Sequence, residues 1–329
     1  DMLEEQSRWD WIQDHLPRGP APKAVILENA VYREKLAGAF LARCAGCTLG
    51  APVELWPIDR MQYLARQNGQ AFPPVDYWHT CQPEANTRYI SGRYFQYARR
   101  TMDHVPVDDD LTYTVLGLLI AERCGLEFST EDVARLWTEL LPMACTAEEV
   151  ALANLKAGMT PEQAGACNNP YREWIGAGIR ADPWGYLAPG NPARAAAMAY
   201  RDAFLSHRRE GLYGSLFFSA AISAAFVVDN PIEAIQCGLG QIPAGSRLAE
   251  AVRWALDASE SVRDHQAARQ AVERRYPGMP PVHTLNNACL TVFGVAIGGT
   301  DLTRVLGETV AMGLDNDCNA ATAGSLVGA

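Results

Sequence analysis

A chain of 329 residues, 48% hydrophobic and 20% charged, carries enough apolar material for a sizeable core in one large domain or two intimate ones. Its formal net charge is −10 and it has no long Lys/Arg run, which argues against a nucleic-acid backbone as partner. An anionic substrate would have to rely on local Arg or backbone N–H groups.

In chain order, Asp1 to Arg18 is polar and Trp-bearing, unlike a signal sequence, and a first residue other than Met suggests processing. Trp9, Trp11 and Ile12 have partly helical spacing ahead of the break PRGPAP, so residues 1–30 are expected to form an arm that packs on the body or, in a homodimer, on a second subunit. No apolar run is read as approaching membrane-spanning length, and no membrane partner is expected. From Tyr32 the run YREKLAGAFLARCAGCTLGAPVE predicts a helix with Leu36, Phe40, Leu41 and Cys44 on an apolar face. Gly50-Ala51-Pro52 stops it, which leaves Glu54 just beyond a helix terminus. Cys44 and Cys47 form the only C-x-x-C among nine Cys; inside a helical pattern, with no second pair nearby, they read as core. The odd, scattered count predicts reduced thiols and a cytoplasmic location.

Ile58 to Met102 mixes aromatic and Gly residues (Tyr77, Trp78, Tyr89, Gly92, Tyr94) with weak periodicity and reads as a partly irregular crossing that could wall a pocket. Helices then follow in quick succession: Leu111–Cys124, a helix capped by Ser129-Thr130-Glu131-Asp132 and running through Leu141, Thr146–Ala157, and Pro161–Ala166. Asn168 to Pro189 is rich in Gly, Pro and aromatics and reads as pocket lining more than core. Pro192–His207 is helical with proline at its first position, and RREGLYG reads as a turn leading into Ser215–Val228. Further helices are expected from Asn230-Pro231 to Gly238 and over Arg247–Ser259, Ser261–Arg274, His283–Ile297 and Leu302–Gly313, with a last one after Asp317. Strand signals are few and no repeat has a fixed period, so the expected fold class is all-α, an orthogonal multi-helix bundle forming a single domain over 31–329.

Two of these helices have acidic starts. In VDDDLTYTVLGLLI, Asp108, Asp109 and Asp110 precede an apolar run; in GLDNDCNAATAGS, Asp315 and Asp317 precede the small residues Ala320, Ala321, Ala323 and Gly324, which can bring a helix close to its neighbours. One Asp at a helix start is ordinarily a cap or a dipole partner, worth about 0.5–2 kcal/mol as a cap. Three in a row are not explained that way, because one caps and the others repel it. The clusters lie roughly two hundred residues apart. If they meet, desolvation and repulsion cost several kcal/mol per ion unless a cation sits among them. An all-oxygen donor set suits Mg²⁺, Mn²⁺ or Ca²⁺ over zinc.

The segments GCTLGAPVE (Gly46 to Glu54), VDDDLTYT (Val107 to Thr114) and GLDNDCNAATAGS resemble the three signature blocks of the ADP-ribosylglycohydrolases, the group that includes the dinitrogenase reductase-activating glycohydrolases. The blocks IRADPWGYLAPGNP, SHRREGLYG and HTLNNA are similar to a bacterial branch of that family. The resemblance implies an all-α fold with a dinuclear Mg²⁺ centre, sometimes Mn²⁺, that holds ribose hydroxyls and a water while an N- or O-ribosidic bond is hydrolysed. Matched residue by residue, it implies metal ligands at Asp108, Asp109, Asp110, Asp315 and Asp317, with Glu54 and Asp109 as catalytic groups. It also places His207 at the substrate cleft, and by their chemistry Arg180 and Asp182, flanked by Trp184 and Gly185, are expected to hold phosphate and ribose, with Tyr213 and Gly214 approaching a ring or phosphate. As residues alone, these have plainer readings: a surface Arg–Asp pair, a helix-end histidine, a Gly-Leu-Tyr-Gly turn, and for His283 and Asn286 a capping role.

Departures from the pattern are Asp108 for a Thr, Cys318 for a hydroxyl residue that often helps bind metal, Leu111 where a second Thr is common, and Cys47 where the first block often has Asp. The expected substrate is a small ADP-ribosyl or nucleoside-like molecule. Two alternatives stand beside it: a crystallin-like binding relative without turnover, and a dinuclear phosphohydrolase.

Overall fold

The computed structural model describes residues 2–17, 25–81 and 94–329, and among these there is no β-strand. A lone antiparallel bridge joins Trp174 to His283. The helices in order are α1 (Met2–Glu5), α2 (Trp9–Asp14), α3 (Asn29–Gly50), α4 (Ile58–Asn68), α5 (Asp109–Cys124), α6 (Thr130–Leu140), α7 (Thr146–Lys156), α8 (Pro161–Ala166) and α9 (Asp182–Leu187). They continue as α10 (Pro192–Ala203), α11 (Arg209–Ala225), α12 (Pro231–Leu239), α13 (Arg247–Ala258), α14 (His265–Arg275), α15 (Thr284–Gly298), α16 (Leu302–Ala311) and α17 (Asn316–Gly328). The all-α expectation therefore holds. Tyr89 and Gly92 lie outside the described residues, as does the side chain of Tyr94.

The expected cap of α6 is in place, and other helices are capped in the same manner. Ser129 and Asp132 form a reciprocal capping box on α6, as Thr160 and Gln163 do on α8. Asn191, Asn230, Ser246, Asp264 and Asp301 accept from first-turn N–H groups. The arm lies on the body: Ile12 is fully buried, Gln6 carbonyl accepts from Tyr213 hydroxyl at 2.6 Å, and Glu4 pairs with Arg208 at 2.9 Å.

The central contact is α3 against α17, and it corrects the expected face of α3. Of that expected face, Cys44 is buried and Leu36 packs on the core, but Leu41 is 65% exposed and Phe40 36%, and the helix buries instead Ala39, Ala42, Arg43, Gly46, Cys47 and Gly50. Small residues win because they let two backbones approach. A Cβ on Gly46 would overlap the backbone of Ala320, and one on Gly50 the backbone of Asp317, so the approach is possible only with glycine there. Asn29–Val53 is also long and apolar enough to cross a bilayer, contrary to expectation, but 67% of its most apolar window is buried in the protein as a core helix.

The turn RREGLYG is not a turn. Helix α11 starts at Arg209, so Tyr213 and Gly214 are helical, and Gly214 gives room to the methyl group of Thr284 on α15.

Candidate active site

Helix α5 begins with Asp108 as its N-cap, the Asp108 carboxylate accepting from the N–H of Asp110 at 3.1 Å. Its first turn then projects Asp109, half-buried, and Asp110, fully buried. Helix α17 begins at a tight left-handed turn, Gly313 (φ 71°) and Leu314 (φ 58°), from which Asp315 and Asp317 enter the interior. Another left-handed residue, Leu55 (φ 61°), follows Glu54, and its N–H donates to the carbonyl of Leu314 at 2.9 Å. One backbone bond thus clamps the Glu54 turn to the Asp315 turn. Asn287 on α15 fixes the other side, its Oδ1 accepting from the Asp315 N–H at 3.2 Å and from Asn319 at 2.8 Å.

The two acidic starts meet. Donor atoms of Asp108, Asp110, Asp317 and Cys47 lie within 4.8 Å of one another, as do those of Asp315, Asp317 and Cys318. Asp317 belongs to both groups. Asp109 stands outside both and lines a cavity of about 280 Å³ together with Glu54, Glu148, Asp315 and Cys318. Tyr113, Trp174 and Ile175 supply much of its apolar wall. Among the described residues of 58–102, none lines it, whereas part of the Asn168–Pro189 segment does.

Burial raises the Asp110 carboxyl well above its ordinary range; Arg43 opposes the shift, and Asp108 and Asp317 add to it. Burial also raises Asp315, reinforced by Asp317 and Glu54. Oδ1 of Asp315 is buried without a hydrogen-bond partner. Clustered carboxylates, raised affinities for protons and an orphaned oxygen are what a bound cation would relieve, so the donor set fits a metal centre. It is not the all-oxygen set expected from the sequence. Cys47, read as core, faces the carboxylates, and Cys318 donates to Asp110 Oδ2 at 3.2 Å.

Under this cluster lies Arg43, which the sequence reading passed over. It is fully buried and donates to Asp182 Oδ1 at 2.8 Å, Thr114 Oγ1 at 2.9 Å, the Asp110 carbonyl at 2.9 Å and Asp110 Oδ1 at 3.3 Å, and also to the Ile179 carbonyl. Its position in LARCAGC, four residues after buried Ala39 and four before Cys47, is the signal that could have found it: a charge on the small-residue face of a helix needs a buried partner.

The seven residues expected to touch substrate do not line the cavity. Asp182 is the buried counter-ion of Arg43 and also accepts from Ser325. Arg180 is enclosed by Asp202 (2.7 Å), Glu148 (2.7 Å) and Ser206 (2.6 Å), with its guanidinium over Trp137, so it has no face for a phosphate. Trp184 packs on Phe128, and Gly185 lets α9 approach Ile222 and Ser219 on α11. His207 is buried with Nδ1 on Ser206 Oγ at 2.8 Å; burial, then Arg180 and Arg208, hold its imidazole well below the ordinary range and therefore neutral. Tyr213 bonds the arm, and Gly214 packs on α15. His283 caps α15 through Nδ1, and Asn286 donates to the Pro280 carbonyl.

Glu148, from the first turn of α7, also went unnoticed. It is buried at the cavity wall, and burial, only partly offset by Arg180, pushes its carboxyl up to about 7.

The model of one protein family, ADP-ribosylglycohydrolase, matches residues 28–329. Among solved structures, the chain is similar to one titled "ADP-ribosylglycohydrolase-related protein complex", with 20% identity, a TM-score of 0.62, and coverage of 91% of this chain and 88% of that one. At that identity the likeness is one of fold. No curated protein matches the chain significantly.

Proposed function

Because the chain belongs to the ADP-ribosylglycohydrolase family, we propose that it is a hydrolase of an N- or O-ribosidic bond in a small ADP-ribosyl or nucleoside-like compound, acting with divalent cations. The observation that carries this reading is the convergence of the two acidic helix starts at a cavity that Glu54 also lines.

Asp108, Asp109, Asp110, Asp315 and Asp317 are the residues that would hold two ions, with Cys47 and Cys318 among them. Bound there, such ions supply Lewis acidity and lower the pKa of a water. The rest falls to the chain itself. Glu54 sits half-buried at the cavity and is held by the Leu55–Leu314 bond beside Asp315, in reach of the same space. It takes the proton of the attacking water and returns one to the leaving atom. Asp109, less buried than its neighbours, orients that water or the sugar diol. Tyr113, Trp174 and Ile175 exclude bulk water, and the two aromatic residues give the substrate an apolar surface to lie against.

Size supports a small substrate. A cavity of about 280 Å³ lies at the lower edge of the ~300–1,000 Å³ typical of sites for drug-sized ligands. Its carboxylate lining repels a bare pyrophosphate, so any phosphate of the substrate would lie outside the cavity or against the cations. The nine free thiols suit a reducing, cytoplasmic setting.

The test is mass spectrometry of products after incubation with divalent ions and a panel of ADP-ribose adducts, NAD-derived metabolites and nucleosides. A free ribose reducing end, lost on chelation, supports the reading. Inorganic phosphate as the product, or turnover indifferent to a chelator, sinks it.

A further inference from the structure

We propose that this centre is a mixed sulfur–oxygen site, in which Cys47 and Cys318 each give a thiolate ligand to a divalent ion, so that it selects thiophilic ions of the Zn²⁺ or Co²⁺ class over Mg²⁺. The proposal rests on the metal reading above and narrows it to a class of ion.

Each of the two donor groups contains one sulfur: Cys47 with Asp108, Asp110 and Asp317, and Cys318 with Asp315 and Asp317. Donors bound to one ion at roughly 2.0–2.3 Å lie no more than about 4.6 Å apart, and within each group the donor atoms already lie inside 4.8 Å of one another, close to that limit. Both thiols are buried, Cys47 at 1% exposure and Cys318 at 5%. A buried Cys is usually a small apolar filler. Cys289 on α15 has that role, with Ala251 carbonyl as its hydrogen-bond acceptor in an apolar cluster. Cys47 has carboxylates for neighbours, and Cys318, although one side of it joins an apolar cluster, also faces Asp110, Asp315 and Asp317, where a weak S–H donor makes at best one useful bond. Oδ1 of Asp315 is buried without a hydrogen-bond partner although the Cys318 thiol lies against the same carboxyl group, so the pair as it stands leaves a buried acceptor that a cation would satisfy.

On binding, each metal–sulfur bond forms as the thiol releases its proton to solvent. No oxidant or other co-reactant is required. Hard Mg²⁺ keeps its water shell and gains little from sulfur, whereas thiolate and carboxylate together suit zinc-like ions.

The full chain, stripped with chelator and reloaded with Co²⁺, tests this by absorption spectroscopy and metal analysis. The expected result is a near-ultraviolet sulfur-to-cobalt charge-transfer band that weakens in Cys47→Ser and in Cys318→Ser and is lost in the double variant, while cobalt still binds through the carboxylates. Zinc should displace the cobalt and magnesium should not. Bound cobalt without the band, or a band unchanged in the double variant, overturns sulfur ligation and leaves the metal centre standing. Failure of the unaltered chain to bind cobalt overturns the metal reading and the proposal together. If the double variant does not fold, as judged by circular dichroism, X-ray absorption of the zinc-loaded unaltered chain decides: a sulfur shell supports the proposal, and an oxygen-only shell overturns it.

Discussion

Replacing Arg43 by Met should keep the volume under the site and remove its only described cationic partner for Asp110 and Asp182. The guanidinium makes two carboxylate contacts, at 2.8 and 3.3 Å, and three further bonds to Thr114 and to the carbonyls of Asp110 and Ile179. Breaking a buried pair by deleting one partner costs about 3–5 kcal/mol, because the other charge stays behind. With an unfolding entropy of about 2.1 cal/mol/K per residue, a chain of 329 residues should then melt roughly 4–7 °C lower. Adding Asp182→Asn removes one stranded charge and should recover about 1 kcal/mol or more, read as a coupling energy in a double-mutant cycle. The assay is chemical denaturation of all four proteins, metal-free, at neutral pH. A loss below about 1 kcal/mol for Arg43→Met, or no recovery in the double variant, would refute the idea that Arg43 neutralises the floor of the site.

Three further outcomes follow from the same geometry. Glu54→Gln should lower kcat by about 10²–10⁴-fold, the usual share of general acid–base catalysis, with metal content unchanged by elemental analysis; loss of the metal instead would assign Glu54 to the ligands. Gly50→Ala forces a methyl group into the backbone of Asp317 and should cost about 1–3 kcal/mol, as overpacking does, with metal affinity falling in parallel by titration calorimetry. For Glu148, the folded carboxyl sits at about 7 against 4.5 unfolded. Between those values the folded state holds a proton that the unfolded state has released, so stability declines as pH rises through the window, by about 3 kcal/mol in all. Glu148→Gln should flatten that slope in paired denaturation curves; an unchanged slope would assign it to other groups.

The helical class and the meeting of the two acidic starts could be read in the sequence because both are local signals with global consequences. Apolar spacing sets helices, and adjacent carboxylates at two helix starts are costly unless something compensates them. What could not be read was which polar residues face the cavity and which face the interior. Arg180 and Asp182 have the chemistry of phosphate and ribose ligands, yet their partners Asp202, Glu148 and Arg43 lie far off in sequence and enclose them. A buried ion pair and a binding pair look the same in one dimension. The face of α3 was misjudged for a related reason: Leu and Phe signal burial by transfer energy, but close helix packing against α17 rewards Gly and Ala, and geometry prevailed over size. Cys47 reads as core because no second Cys pair lies near it in the sequence, whereas its carboxylate neighbours come from the starts of α5 and α17.

The backbone bond between Leu55 and Leu314 leaves a practical opening. The clamp uses main-chain atoms, and the Leu55 side chain is 50% exposed. Its positive φ of 61° suits Gly or Asn better than Leu. Position 55 is therefore a place to attach a fluorescent or spin reporter one residue from Glu54. Any residue but proline keeps the N–H there, so such a probe can register events at the centre while the chemistry beside it stays intact.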